Sequence, residues 1–294
     1  MENPSPANSY PTGLSARLAS RNGSHTSFTS DLAPTYLQAN LLVLPSRYAA
    51  DFRLLCSRNP VPCPLLAISA PGEWRKLKSC ISGCSDDRIA GDLDVRKDAP
   101  RYMVYQDAQL VKSECLNIDD EWTEDHVAFI IGCSFSFESA LSSAGLPPRH
   151  AKMNRNVPMY RTNIPLCPAG VFTGSTAVVS LRPYRRDEIE RVRDITRPYT
   201  ATHGEPIAWG WEALQRLGIK DIDNPEWGDA PLTLDGRPLS EAEGDDENLP
   251  VLWGCGVTPQ EAVMKAKLQG TVMGHAPGHM ICLDLRDWDV IRNI

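Results

Sequence analysis

HVAFIIGCSFSFESAL, residues 126–141, is the stretch on which the fold turns. Val127 to Ile131 is an unbroken apolar run of strand length, and a helical pattern follows from about Phe137 to Ala144, closed by Gly145. Gly132-Cys133-Ser134 lies between them, so the stretch predicts a strand, a tight elbow and a helix. The same grammar returns at LPVLWGCGVTPQEAVMKAKLQG, residues 249–270, with an apolar run and then Gly254-Cys255-Gly256. There Thr258-Pro259-Gln260-Glu261 has the form of a capping box with proline at the first helical position. Two such elbows point to neighbouring strands of one largely parallel sheet, whose ligands gather at the strands' carboxyl ends.

Outward from the elbows, GLSARLASRNG reads as a short helix ending at Gly23, and residues 33–60 as a second helical region. CPLLAISAPG is a short buried strand, residues 75–98 an exposed connection, and RYMVYQDAQLVKSE a hairpin turning near Asp107-Ala108. Residues 154–174 are rich in Pro and Asn and read as loop. STAVVSLRPY is then a strand, RRDEIERVRDITRPY an amphipathic helix, GEPIAWGW a strand or loop, and Met280 to Leu285 a last strand. The expected organisation is an α/β main domain, 1–151 and 239–294, interrupted by an inserted α+β domain over 152–238. Residues 1–11 are expected to be disordered, and the acidic SEAEGDDENLP to form an exit linker.

The 294 residues carry a net charge of -7, with no Lys/Arg cluster, which argues against a nucleic-acid partner. No apolar stretch approaches the roughly 18 residues of a membrane span, and the polar start lacks a secretory core, so the expectation is cytoplasmic. Arg17 and Arg21 in a Ser-rich leader leave a mitochondrial address as the alternative. Nine cysteines, an odd number, read as reduced thiols. Cys80 and Cys84 lack a second ligand pair for zinc, and Pro277 and Gly278 break the helix that His275-x3-His279 would need, so no metal and no cofactor is expected.

The elbows' helix starts offer backbone N–H groups to an anion. Ser134 and Ser136, and Gly256 and Thr258, are therefore candidate substrate contacts, while Cys133 and Cys255 are candidate nucleophiles or proton carriers with pKa lowered by those helix starts. Ser134 and Ser136 are equally good N-caps, and Glu138 reads as a dipole complement. Gly132 to Ser136 is not the Gly-x-Ser-x-Gly nucleophile elbow, because Ser136 stands at the last glycine position. Arg161, Thr162 and Asn163 form a polar cluster able to grip a carboxylate. His203, His275 and His279 are the acid/base candidates.

QANLLVLP, CSRNPVPCPLL, DHVAFIIGCSFSFESALSSAGLPPRH, NVPMYRTNIPLCPAGVFTGSTAVVSLRP, PEWGD, VLWGCGVTPQEAVMKAK and HAPGHMICLDL occur in one order over residues 12–288. Together they closely resemble the hydro-lyase family related to the N-terminal part of mitochondrial D-glutamate cyclase. The resemblance implies a three-layer α/β/α domain with a smaller two-layer α+β domain. It also implies a carbon–oxygen lyase acting on a small anionic substrate, with D-glutamate converted to 5-oxo-D-proline and water. Under that scheme Arg161, Thr162 and Asn163 would hold the α-carboxylate and the 132–136 elbow the reacting carboxyl. His203, His275 or His279, with Cys133 or Cys255, would move protons. The alternatives are a lyase for another small carboxylic acid and a non-catalytic carboxylate-binding module. A homo-oligomer stays open, and residues 76–94 depart from the family pattern.

Overall fold

A ten-residue strand, β1 (Tyr36–Pro45), is buried along its whole length and forms the spine of the molecule. In the computed structural model, which describes residues 9–291, it follows a helix, α1 (Gly13–Arg21). The disordered leader expected over 1–11 falls mostly on residues 1–8, which lie outside the described residues. Successive side chains of β1 face opposite layers: Leu41 and Val43 belong to one apolar cluster and Leu42 and Leu44 to another. A strand covered on both faces carries no polar alternation. That is why residues 33–60 read as helix throughout, whereas only α2 (Ala49–Arg58) and the 3-10 turn Ser46–Tyr48 leading into it are helical.

The chain continues through β2 (Leu65–Ser69), β3 (Leu77–Ser79), β4 (Tyr102–Gln106), β5 (Gln109–Cys115) and β6 (His126–Gly132). Helices α3 (Glu138–Ser143) and α4 (Arg149–Lys152) follow, then β7 (Met159–Pro165), β8 (Thr176–Tyr184), α5 (Ile189–Thr196), β9 (Ala208–Trp209) and α6 (Trp211–Leu217). The last elements are β10 (Leu249–Gly254), α7 (Val257–Ala266), β11 (Thr271–His275) and β12 (Ile281–Arg286). The 154–174 stretch expected as loop thus contains β7. The hairpin β4–β5 turns at Asp107 and Ala108 with φ of 50° and 64°, the left-handed pair that a two-residue hairpin prefers.

Two sheets result, and every pairing in them is antiparallel. The larger runs β3-β2-β6-β1-β11-β4-β5, with β12 beside the first half of β1; the smaller runs β7-β8-β10-β9. The expected parallel sheet is therefore corrected. The elbow strands β6 and β10 lie in different sheets, because a strand, elbow and helix set only the local handover and not the direction of the next strand. The smaller sheet takes β10 from beyond residues 152–238. Among the described residues the architecture is mixed α/β, with these two sheets and seven α-helices.

Apolar layers hold the sheets together. One face of the large sheet packs on Ile89, Leu93 and Val95, so the 75–98 connection is partly core rather than simply exposed. The opposite face packs on Phe52 of α2 and on Ala262 and Val263 of α7. A further cluster, Cys133, Phe135, Val178, Cys255 and Met280 among its members, joins the smaller sheet to residues flanking β6 and β12 of the larger one. The two arginines of the leader are structural: Arg17 is buried and paired to Asp284 at 2.9 Å, and Arg21 meets Asp98 at 2.7 Å.

Candidate active site

The two elbows converge. At Gly132 a β-carbon would stand 2.0 Å from the carbonyl oxygen of Ala201, so the backbone of 200–203 packs flush on the first elbow. At Gly254 it would stand 3.4 Å from Nδ1 of His203. His203 is buried, adopts φ of 86°, and sets Nδ1 2.8 Å from the carbonyl oxygen of Val61, while Nε2 has no partner. Left-handed backbone is uncommon for a side chain of this size, so the surrounding contacts hold it there. Burial pushes its pKa down to about 4, leaving a neutral imidazole. Asn40 of β1 joins the elbows. Its Nδ2 donates to the Gly132 carbonyl at 3.1 Å, and a β-carbon at Gly256 would meet that same amide at 1.9 Å.

Behind the first elbow lies a buried ionic group that the sequence reading missed. Arg182 of β8 donates to Glu138 at 2.9 Å and to the hydroxyls of Ser134 and Ser180 at 3.0 Å each, under the rings of Phe137 and Trp253. Burial raises the Glu138 pKa, but His150, 3.3 Å away, and Arg182 overcome this and hold it below the usual carboxylate range. A signal was present: an arginine inside the apolar run AVVSLRPY has to be paired if that run is buried.

The elbow side chains have structural partners. The Ser136 hydroxyl bridges the N–H and carbonyl of Gln38, at 3.0 and 3.2 Å. Thr258 is not a cap, which corrects the capping-box expectation: α7 starts from Gly256, and the Thr258 hydroxyl accepts from the Val178 N–H at 2.9 Å. The first-turn N–H groups of Ser136 and Thr258 go to the carbonyls of Cys133 and Cys255. Burial pushes the Cys133 thiol far up and the Cys255 thiol to about 11, so the lowered values expected at helix starts are overturned.

The YRTN cluster splits along β7. Thr162 donates to the Ala177 carbonyl at 2.7 Å and Asn163 to that of Arg216 at 3.0 Å. Arg161 alone turns toward α7, where it forms a two-pronged pair with Glu261 at 2.9 and 3.2 Å and lies 4.6 Å over the ring of Trp227. Trp227 and Glu261 line a cavity of about 290 Å³ with Gln260 and His275, walled by apolar groups such as Met103 and Val263. That volume is near the lower end for small-molecule pockets, roughly 300 Å³. His275 is buried, with Nδ1 2.8 Å from the Ala276 carbonyl and Nε2 2.7 Å from Gln260 Nε2 and 3.0 Å from Asn40 Oδ1. Nδ1 donates to the Ala276 carbonyl, so Nε2 is the acceptor and takes the Gln260 N–H. Burial lowers its pKa to about 4. His279 sits apart, its ring 5.1 Å from Phe28 and its Nδ1 on the Pro277 carbonyl.

A larger groove of about 720 Å³ beside α2 contains Cys56, Cys63, Cys80 and Arg53, but no imidazole, and its Asp289 is already paired with Arg88. Among the described residues, no group of three or more His, Cys, Asp or Glu side chains is placed to hold a metal ion, and no helix is long and apolar enough to cross a membrane.

A mixed α/β fold thus places a neutral imidazole and one carboxylate, Glu261, in the lining of a small cavity, with Arg161 paired to that carboxylate, and a pocket of this kind is suited to a small ligand. Comparison with known proteins narrows the class: residues 127–284 match the family model described as D-glutamate cyclase. Proteins named "Putative hydro-lyase" match over nearly the full chain. That of Schizosaccharomyces pombe is 45% identical, covering 92% of this chain and 84% of its own. Those of Bordetella pertussis and Geobacillus kaustophilus are 44% and 42% identical, covering 93% and 92% of this chain and 89% and 94% of theirs. The chain belongs to the D-glutamate cyclase family. A solved nitrogen repressor-like protein from Methanococcus jannaschii aligns over 90% of this chain and 92% of its own at 10% identity, but its TM-score of 0.36 carries no argument.

Proposed function

We propose that the protein is a hydro-lyase that interconverts a small acidic amino acid and its lactam, with D-glutamate and 5-oxo-D-proline as the pair. The family supports the lyase class. The observation that carries the substrate reading is the cavity beside α7, lined by Glu261, Gln260 and a neutral His275, with Arg161 paired to Glu261 next to that lining. A zwitterion lies across such a pair with its α-carboxylate on Arg161 and its ammonium on Glu261. The side-chain carboxyl then reaches Gln260 and His275.

In the lactam-forming direction the amine nitrogen attacks the side-chain carboxyl carbon, a C–N bond forms and a C–O bond breaks. The nitrogen loses two protons and the departing oxygen gains two, so one carrier cycling between them completes the reaction. His275 is suited to the second half, because an imidazolium of low pKa is a strong acid toward a leaving hydroxyl. Gln260 supplies an N–H to the tetrahedral oxyanion. In this reading Cys133, Cys255, His203, Ser134 and Ser136 form the frame that places Asn40 against His275.

The test follows interconversion of D-glutamate and 5-oxo-D-proline in both directions, with the L-isomers as controls. His275→Gln should lower kcat at least 100-fold, and Arg161→Ala should raise KM. Normal turnover by a folded His275→Gln variant refutes the assignment. A protein stabilised by small carboxylic acids but turning none over would be a binding module instead.

A further inference from the structure

Behind the first elbow, away from the cavity described above, is a second space of about 40 Å³ whose lining includes Gln38, Ser136, Glu138, Ser139 and Asp287, with the exposed Asp31 among its residues. Two oxygens in this lining are buried and bare. Gln38 is 3% exposed; its Nε2 donates to the Thr29 carbonyl at 2.7 Å, which fixes the amide, and Oε1 has no partner. Asp287 is 5% exposed; Ser139 donates to Oδ2, and Oδ1 has no partner. The other charges nearby are already committed. Glu138 is answered by Arg182 and His150, and Arg286 donates to Thr35 at 2.6 Å while stacking 3.7 Å over Tyr36. No lysine or arginine lines the space.

We propose that this cavity binds one monovalent cation, a potassium, sodium or ammonium ion, between the Asp287 carboxylate and the Gln38 carbonyl oxygen. A buried carboxylate with one hydroxyl donor, feeling Arg286 only from outside the space, is costly to ionise, and a water satisfies the oxygen without cancelling the charge. The space has room for about one such ion or water. One buried carboxylate with no ion-pair partner of its own, with amide and hydroxyl oxygens beside it, matches one positive charge. A calcium ion is commonly held by more than one carboxylate, and here the second buried one, Glu138, is already neutralised by Arg182. Burial also pushes the Asp287 carboxyl up to about 6, the strain that a bound cation relieves. Both backbone polar groups of Gln38 are clasped by Ser136, so the ion secures the back of the elbow two residues from Asn40.

The test is thermal unfolding of the full chain at pH 7.5 in potassium, sodium or ammonium chloride against choline chloride at equal ionic strength. The expected result is a saturable rise of about 2–4 °C at 100 mM of the preferred ion. Asp287→Asn should abolish the rise, and Gln38→Met should shift its midpoint to higher salt. Crystals grown or soaked with rubidium or thallium chloride should show an anomalous peak between Gln38 and Asp287, a readout that needs no variant to fold. Equal stability in choline and in all three ions, an absent anomalous peak, or an ion effect that survives Asp287→Asn would overturn the proposal.

Discussion

Mild acidification should destabilise this protein through two buried imidazoles. His203 and His275 are 2% and 3% exposed, and burial holds each near pKa 4 in the native state. In the unfolded chain each returns to about 6.5. Their pKa values are lowered by folding, so the unfolded state binds more protons below 6.5, and the stability they lend above that value is lost as pH falls toward 4. At about 1.4 kcal/mol per pH unit, each contributes up to about 3 kcal/mol, of which about 2 is gone by pH 5. Asp287 acts in the opposite sense. Its carboxyl is raised to about 6 when folded, so protonation between pH 7.5 and 5 returns about 1.5 kcal/mol. The net loss from these three groups is about 2.5 kcal/mol. A chain of 294 residues has an unfolding entropy of about 0.6 kcal/mol/K, so Tm should fall by about 4 °C. The assay is thermal or urea unfolding at pH 7.5, 6 and 5 in choline-based buffer, with His203→Asn and His275→Asn. Asparagine tolerates the left-handed backbone at 203 and can keep the Nδ1 hydrogen bond at either position. Each variant should lose about half of the histidine contribution. Stability that is flat or rising from pH 7.5 to 5, or a slope unchanged in the double variant, would refute the reasoning.

The Arg182–Glu138 pair gives a second expectation: Glu138→Gln should cost about 3–5 kcal/mol in denaturant unfolding by stranding a buried guanidinium, and adding Arg182→Met should recover part of it. Thiol labelling gives a third, since Cys133 and Cys255, buried and raised in pKa, should react with iodoacetamide in the native protein far more slowly than the exposed Cys80 and Cys167.

The elements best anticipated from the chain are those with local signals. Strand β6, helix α3 closed at Gly145 with φ of 79°, the β4–β5 hairpin and helix α1 all fall where periodicity and turn residues place them. Strand β1 escaped because burial on both faces erases the alternation that marks a strand. Strand β7 escaped because its Pro and Asn content resembles loop, although its Met159, Tyr160 and Arg161 pair with Ser180, Val179 and Val178. At the site, His275 and Arg161 were found as residue types with suitable chemistry. Their partners Glu261 and Gln260 on α7, Trp227, and Asn40 on β1 come from three separate segments that no local pattern links.

From its sequence alone the chain's family, its two Gly-Cys elbows and the residue types able to grip an acid or carry a proton could be read. Those are properties of short segments and of their order. Tertiary structure decided that the elbow strands belong to different antiparallel sheets, that Thr162 and Asn163 turn to backbone carbonyls while Arg161 meets Glu261, and that Cys133 and Cys255 are buried packing groups with raised pKa. Strand direction, desolvation and the pairing of charges depend on contacts between residues far apart in the chain, and such contacts exist only once it has folded.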